Sequence, residues 1–142
     1  MFKKILLAYN GSAHSAAALR RAADLARLSA AELYILGIVV PTGAVVIAQT
    51  ASPIDLIDLE TKRIQQAIKT AAGELEAQGV NVVSCIRQGD PATEIVSYAY
   101  RIKADLAVLG HTDKGLIARW FQGTVGAKLL NHLPCSLLIV TS

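Results

Sequence analysis

Aromatic residues are scarce in this chain of 142 residues, at 5% against 53% hydrophobic residues overall. Its core therefore has to be built from Ala, Val, Leu and Ile, which suits a parallel sheet covered by helices on both faces. Cysteine is almost lacking as well. Cys85 and Cys135 have no CxxC spacing and form no cluster with His14, His111 or His132, which argues against a zinc site. Both lie in or beside apolar runs and read as buried thiols of a reducing compartment. With 10 glycines and 4 prolines, nothing in the composition points to disorder. No apolar run approaches the roughly 18 residues of a membrane span. The opening MFKKILLAYNGS has cations before a short apolar run but no small-residue cleavage site, so it reads as a first strand and not as a secretion signal. A cytoplasmic location is expected, with no membrane partner. Charge of one sign is not concentrated either. The net charge is +3 and the cations are spread along helical segments, which argues against a nucleic-acid partner.

What is present is alternation. Short apolar runs at Ile5–Tyr9, Leu33–Val40, Val80–Arg87, Leu106–Leu109 and Ser136–Val140 read as strands. Between them lie helical patterns. Residues 12–29 place Ala18, Leu19, Ala22, Leu25, Ala26 and Leu28 on one stripe behind a Ser12 N-cap. Residues 53–78 carry Ile54, Ile57, Ile64, Ile68, Ala71, Ala72 and Leu75, and Gly79 ends them. Asp90 followed by Pro91 starts a third helix that runs to about Ile102. A fourth spans residues 123–131. The order β-α-β-α-β-α-β-α-β predicts an α/β fold, a doubly wound parallel sheet of five strands. The length, with no repeat and no linker, predicts a single domain over residues 1–142. The apolar stretch PTGAVVIAQTAS at 41–52 is long for a loop and reads as a flap, a partner surface or an insertion.

Ligands of such sheets sit outside the carboxyl ends of the strands, at the switch point of strand order. The loops there include GHTDKGLIARWFQGT, residues 110–124. Gly110 follows a strand, and Gly123-Thr124 opens a helix whose free N–H groups suit an anion. Lys114 and Arg119 could add charge. The spacing is neither a Walker loop nor GxGxxG, which disfavours a dinucleotide or flavin enzyme. His14 reads as a helix residue near the ligand side, His132 as a cation at a helix end, and Trp120 and Phe121 as packing residues. No Ser-His-Asp or Cys-His set and no paired-carboxylate cleft is evident, so the site reads as a binding site without catalytic residues.

KKILLAYNGSAHSAAALRRA, GDPATEIVSYAYRIKADLAVLGH and GTVGAKLLNHLPCSLLIV together resemble the universal stress protein family over the full chain. The resemblance implies a strand order of 3-2-1-4-5, as in adenine nucleotide α-hydrolase-like folds. It also implies a homodimer formed through strand 136–140, and ATP or AMP as ligand, with slow ATP hydrolysis at most. The family's phosphate loop is similar to G-2x-G-9x-G-[ST]. Gly110, Gly123 and Thr124 match it, but the second glycine place is Asp113. By the same resemblance Asn10 stands at the ribose, where the family tends to have Asp, and Ala8 just before it is a further nucleotide-binding candidate. Ile38 and Val39 stand at the base, and His111, Arg119 and Val125 stand beside the phosphates. Asp113 either holds Mg²⁺ against the phosphates, turns out to pair with Lys114 or Arg119, or closes the cradle. The last case leaves a dimeric stress or interaction module that binds no nucleotide.

Overall fold

The apolar run Ile5-Leu6-Leu7 is buried on both faces, and this makes β1 (Lys4–Ala8) the centre of the sheet. The structure is a computed structural model and describes residues 1–41, 53–111 and 124–141. The remaining elements follow in chain order as α1 (Ala13–Ser29), β2 (Glu32–Val39), α2 (Pro53–Ala77), β3 (Asn81–Gln88), α3 (Pro91–Ile102), β4 (Leu106–His111), α4 (Thr124–His132) and β5 (Ser136–Thr141). The five strands lie in the order β3-β2-β1-β4-β5, and each neighbouring pair is parallel. The parallel sheet is the one expected from the alternation and the strand order the one the resemblance implies, with element ends shifted by a residue at most sites. Of the 41–52 stretch, residues 42–52 lie outside the described residues.

The two-residue period of the strands divides the core. Ile5, Leu7, Leu33, Ile35, Leu106 and Val108 face one layer, formed by α1 and α2. Leu6, Leu36 and Leu109 face the other, where Ile95, Ala99 and Ile102 of α3 and Leu129 of α4 close over them. Helix α1 is lined with Ala18, Ala22, Ala23 and Ala26, so its backbone lies close on the sheet. Leu28 departs from the expected stripe and is 85% exposed. It sits two residues from Ala26, about 200° round the helix, and so on the opposite face. Both thiols are half-buried and free, where full burial was expected.

Local signals set the helix ends. Ser12 Oγ accepts from Ser15 N at 3.3 Å to cap α1. Asp90 Oδ2 caps α3, accepting from Thr93 N at 3.0 Å and Thr93 Oγ1 at 2.7 Å. At the opposite edge of the sheet, Asp105 Oδ2 accepts from Lys3 N at 2.7 Å and Lys4 N at 2.8 Å. These two backbone donors hold its carboxyl below the usual carboxylate range. They clamp the start of β4 to the start of β1, the pair on which the switch in strand order depends.

Gly110, at the end of β4, is needed for helix packing. A Cβ there would stand 2.3 Å from the His14 carbonyl oxygen and 2.8 Å from its carbon. Gly110→Ala therefore has to push back the first turn of α1. A loss of about 1–3 kcal/mol is expected in chemical denaturation with no ligand present. Asp105→Ala is expected to cost about 1–2 kcal/mol near neutral pH. Because the folded pKa is depressed, this stabilisation is present above the unfolded pKa of about 3.9 and fades as pH falls through the folded value. The denaturation midpoints of wild type and variant should accordingly converge below about pH 4.

Candidate functional site

The carboxyl ends of β1, β2 and β4 meet the starts of α1 and α3, and a cavity of about 90 Å³ opens between them. It lies at the β1/β4 switch point, where a doubly wound sheet leaves a crevice. Its volume is below the roughly 300 Å³ at which small-molecule pockets begin. It can take in one ring-sized group, and the rest of a ligand has to lie outside it.

The lining is divided by chemistry. Leu36, Ile38 and Val40 of the β2 end, with Pro91 and Ile95 of α3, make an apolar wall. Ala8 and Leu109 lie beside it, and Asn10, His14, Ser15 and Gly110 make a polar rim. No carboxylate, lysine or arginine is among these described lining residues.

The rim is ordered by the turn after β1. Tyr9 N donates to Leu36 O at 3.0 Å, which holds the chain in line with β2. Asn10 Oδ1 then accepts from Ser12 N at 3.0 Å, an Asx turn of the kind asparagine favours. Gly11 turns the chain at a φ of 84°, a conformation open to glycine at low cost. Ser15 is 3% exposed, and its Oγ lies 3.1 Å from Asn10 Oδ1 and 2.9 Å from Ser12 O. Arg63 of α2 donates to Asn10 O at 3.1 Å while its other nitrogens grip Glu60. That grip lowers the Glu60 pKa, chiefly through the hydrogen bond from Arg63. His14 Nε2 lies 3.1 Å from Ser12 Oγ. Burial, and next the charge of Glu74, raise the Tyr9 phenol above its ordinary value.

Four of the residues singled out in the sequence, Ala8, Asn10, Ile38 and Gly110, line this cavity together. Val39 does not. It is 2% exposed in the α1/α2 layer, and its carbonyl accepts from Gly89 N at 3.0 Å. Strand alternation sends Ile38 and Val40 to the cavity side and Val39 to the other. His111 ends β4, and Thr124 and Val125 begin α4, but their side chains are outside the described set. Asp113, Arg119 and Gly123 lie outside the described residues altogether.

Tyr9, Val40 and Pro91, in turns expected at the carboxyl ends of the strands, line it as well, whereas Leu36, Leu109, Ser15 and Ile95 were not anticipated at the site. Leu36 could have been found by stepping two residues from Ile38. Ile95 could have been found from the Asp90-Pro91 start, which brings α3 to the same end of the sheet.

Comparison with known proteins bears on what this site belongs to. The model of the universal stress protein family matches residues 1–141. A universal stress protein of Methanocaldococcus jannaschii, MJ0531, is 31% identical over 140 residues, covering 99% of this chain and 82% of the relative. Among solved structures, hypothetical protein MJ0577 superposes with a TM-score of 0.81 at 24% identity, covering 100% of this chain and 97% of that one. A universal stress protein in complex with cAMP superposes at 0.67 with 26% identity, covering 98% and 96%. An Arabidopsis thaliana family member with AMP bound superposes at 0.63 with 22% identity, covering 98% and 91%. With the strand order, the β1/β4 cavity and a match over nearly every residue in agreement, the chain belongs to the universal stress protein family.

Proposed function

We propose that this protein binds an adenine nucleotide, ATP or AMP, at the β1/β4 crevice and acts as a sensor or regulator in the stress response. The observation that carries the reading is the divided cavity. A flat, mostly apolar base suits the wall of Leu36, Ile38 and Val40, and a ribose suits the rim at Ala8 and Asn10. Phosphates would then run toward Gly110 and His111 and on to Gly123, Thr124 and Val125, where the start of α4 offers N–H groups and a favourable dipole. Arg119 supplies charge to them. The AMP and cAMP complexes of two structural relatives support this choice of ligand class. The protein acts as a homodimer paired along the β5 edge, residues 136–140, since an apolar edge strand calls for cover. No helix among the described residues is long and apolar enough to cross a membrane, and we assign the protein to the cytoplasm.

Asp113 favours a second reading, a dimeric interaction module without nucleotide. A carboxylate beside a phosphate costs on the order of 1 kcal/mol when partly shielded from water, unless Mg²⁺ bridges the two. Calorimetric titration of ATP separates the readings. On the nucleotide reading, the wild type takes up ATP with measurable heat in the presence of Mg²⁺. In the absence of Mg²⁺, Asp113→Gly binds about fivefold more tightly than wild type. An absence of heat from the wild type in both conditions, with no nucleotide found by mass spectrometry of the purified protein, would sink the reading.

A further inference from the structure

We propose that the free edge of β3, with the groove between it and α2, docks an extended segment of a partner protein in which an acidic, an apolar and a basic residue stand at alternate positions. The proposal does not rest on the nucleotide reading. It begins with the hydrogen bonds of the sheet. β3 is the last strand on its side and pairs in parallel with β2. Gly89 N donates to Val39 O at 3.0 Å, and in a parallel ladder the same sense recurs at every second residue. The backbones of Val83, Cys85 and Arg87 therefore turn to β2, and those of Val82, Ser84 and Ile86 turn outward. Among the described residues these outward groups meet only the Cys85 thiol, 4.0 Å from Ile86 O. Exposed edges are commonly blunted by lysine or proline, and β3, which reads NVVSCIRQ, has neither. Its one cation, Arg87, is drawn to the face away from α2, where its guanidinium lies 5.2 Å from the centre of the Tyr98 ring.

The same residues send their side chains toward α2, where Val82 and Ile86 join the core layer. There a groove of about 690 Å³ runs between β3 and α2. Its floor is apolar, made by Ile68 and Ala72 of α2 with Ile86. Gly73 keeps it open. An interior glycine weakens a helix, yet Gly73 has no positive φ and a Cβ on it would meet nothing within 4 Å. Neither backbone nor packing calls for glycine there, and what it provides is room. Lys69 and Glu76 stand at the two ends of the groove, and neither pairs with a described residue. Residues 78–80 join the end of α2 to the start of β3, so Glu76 lies toward Val82 and Lys69 toward Ile86. A strand added to β3 sends every second side chain over this groove. An apolar residue covers the floor, with an acid two places to one side at Lys69 and a base two places to the other at Glu76. Residues four apart on a strand span about 13 Å. Lys69 and Glu76 are about 10 Å apart along the helix, a difference that their side chains bridge. A second copy of β3 is the poorer occupant, because together with the β5 pairing it gives an open chain of sheets instead of a closed dimer.

The test is an NMR titration of the full chain, labelled with nitrogen-15, with two capped heptapeptides. In both, Glu, Val and Lys alternate with Thr, and they differ only in running order. The better of the two should bind with a Kd below about 1 mM. It should shift the amide signals of Val82, Ser84 and Ile86 and slow their exchange with solvent. Ser84→Pro removes an outward N–H at a place where an edge strand tolerates proline. Gly73→Leu fills the groove from a position with open space around it. Each should weaken the peptide about tenfold, and Lys69→Glu about threefold. Circular dichroism should show both folds retained, with the thermal midpoint of Gly73→Leu at or above that of wild type. The proposal is overturned if neither peptide gives saturable shifts at millimolar concentration, or if the shifts fall away from β3 and α2. It is equally overturned if both variants bind as the wild type does. Self-association of the chain that Ser84→Pro abolishes would place a second copy on β3 and also overturn it. If one variant does not fold the other decides, and if neither folds the wild-type shifts and exchange rates decide. A failure to bind ATP leaves all of these outcomes unchanged.

Discussion

The site depends on how closely the first turn of α1 approaches the end of β4. The His14 carbonyl comes so near Gly110 that no other side chain fits between them. This contact brings the β1–α1 turn against β4 across the point where the strand order switches. It sets Asn10, His14 and Ser15 on one side of the crevice and leaves the ends of β2 and α3 on the other. Gly110, the first residue of GHTDKGLIARWFQGT, therefore serves packing between β4 and α1.

Hydrogen bonds at two ends of β1 extend that constraint. Below, Asp105 gathers the amides of Lys3 and Lys4 and ties β4 to the start of β1. Above, Asn10 folds the turn on itself, while Arg63 holds the Asn10 carbonyl from α2. A helix on one layer, two central strands and one asparagine are thus joined. The sense in which the Asn10 amide faces the cavity follows from the geometry of its loop, because the amide of Ser12 admits only an oxygen.

Much of this was legible in the residues. Alternation of apolar runs with helical stripes leads to the doubly wound sheet, because strands buried on both faces have little room for polar residues. Ser12 and Asp90 mark their helix starts, since a side-chain oxygen there satisfies N–H groups that the helix leaves open. Leu28 was misleading: an apolar residue near a stripe reads as core, yet its angle on the helix sets it in solvent. Of the neighbours Ile38 and Val39, only one faces the cavity, and the register that decides which is made by pairing with β1 and β3. Pro91 and Ile95 reach the site from α3, nearly a hundred residues along the chain. Their nearness to Ala8 is a fact of topology alone.

The sequence by itself determined the elements, their parallel order and the family. Each of these follows from local periodicity, helix caps and motifs that span few residues. Only the tertiary structure decided what the site residues present. It turned the Asn10 oxygen into the turn and buried Val39 beside Ile38. It also set Gly110 under the His14 carbonyl. Each of these depends on atoms distant in sequence, or on the direction of a single hydrogen bond. Side-chain identity does not encode that direction until the chain has folded.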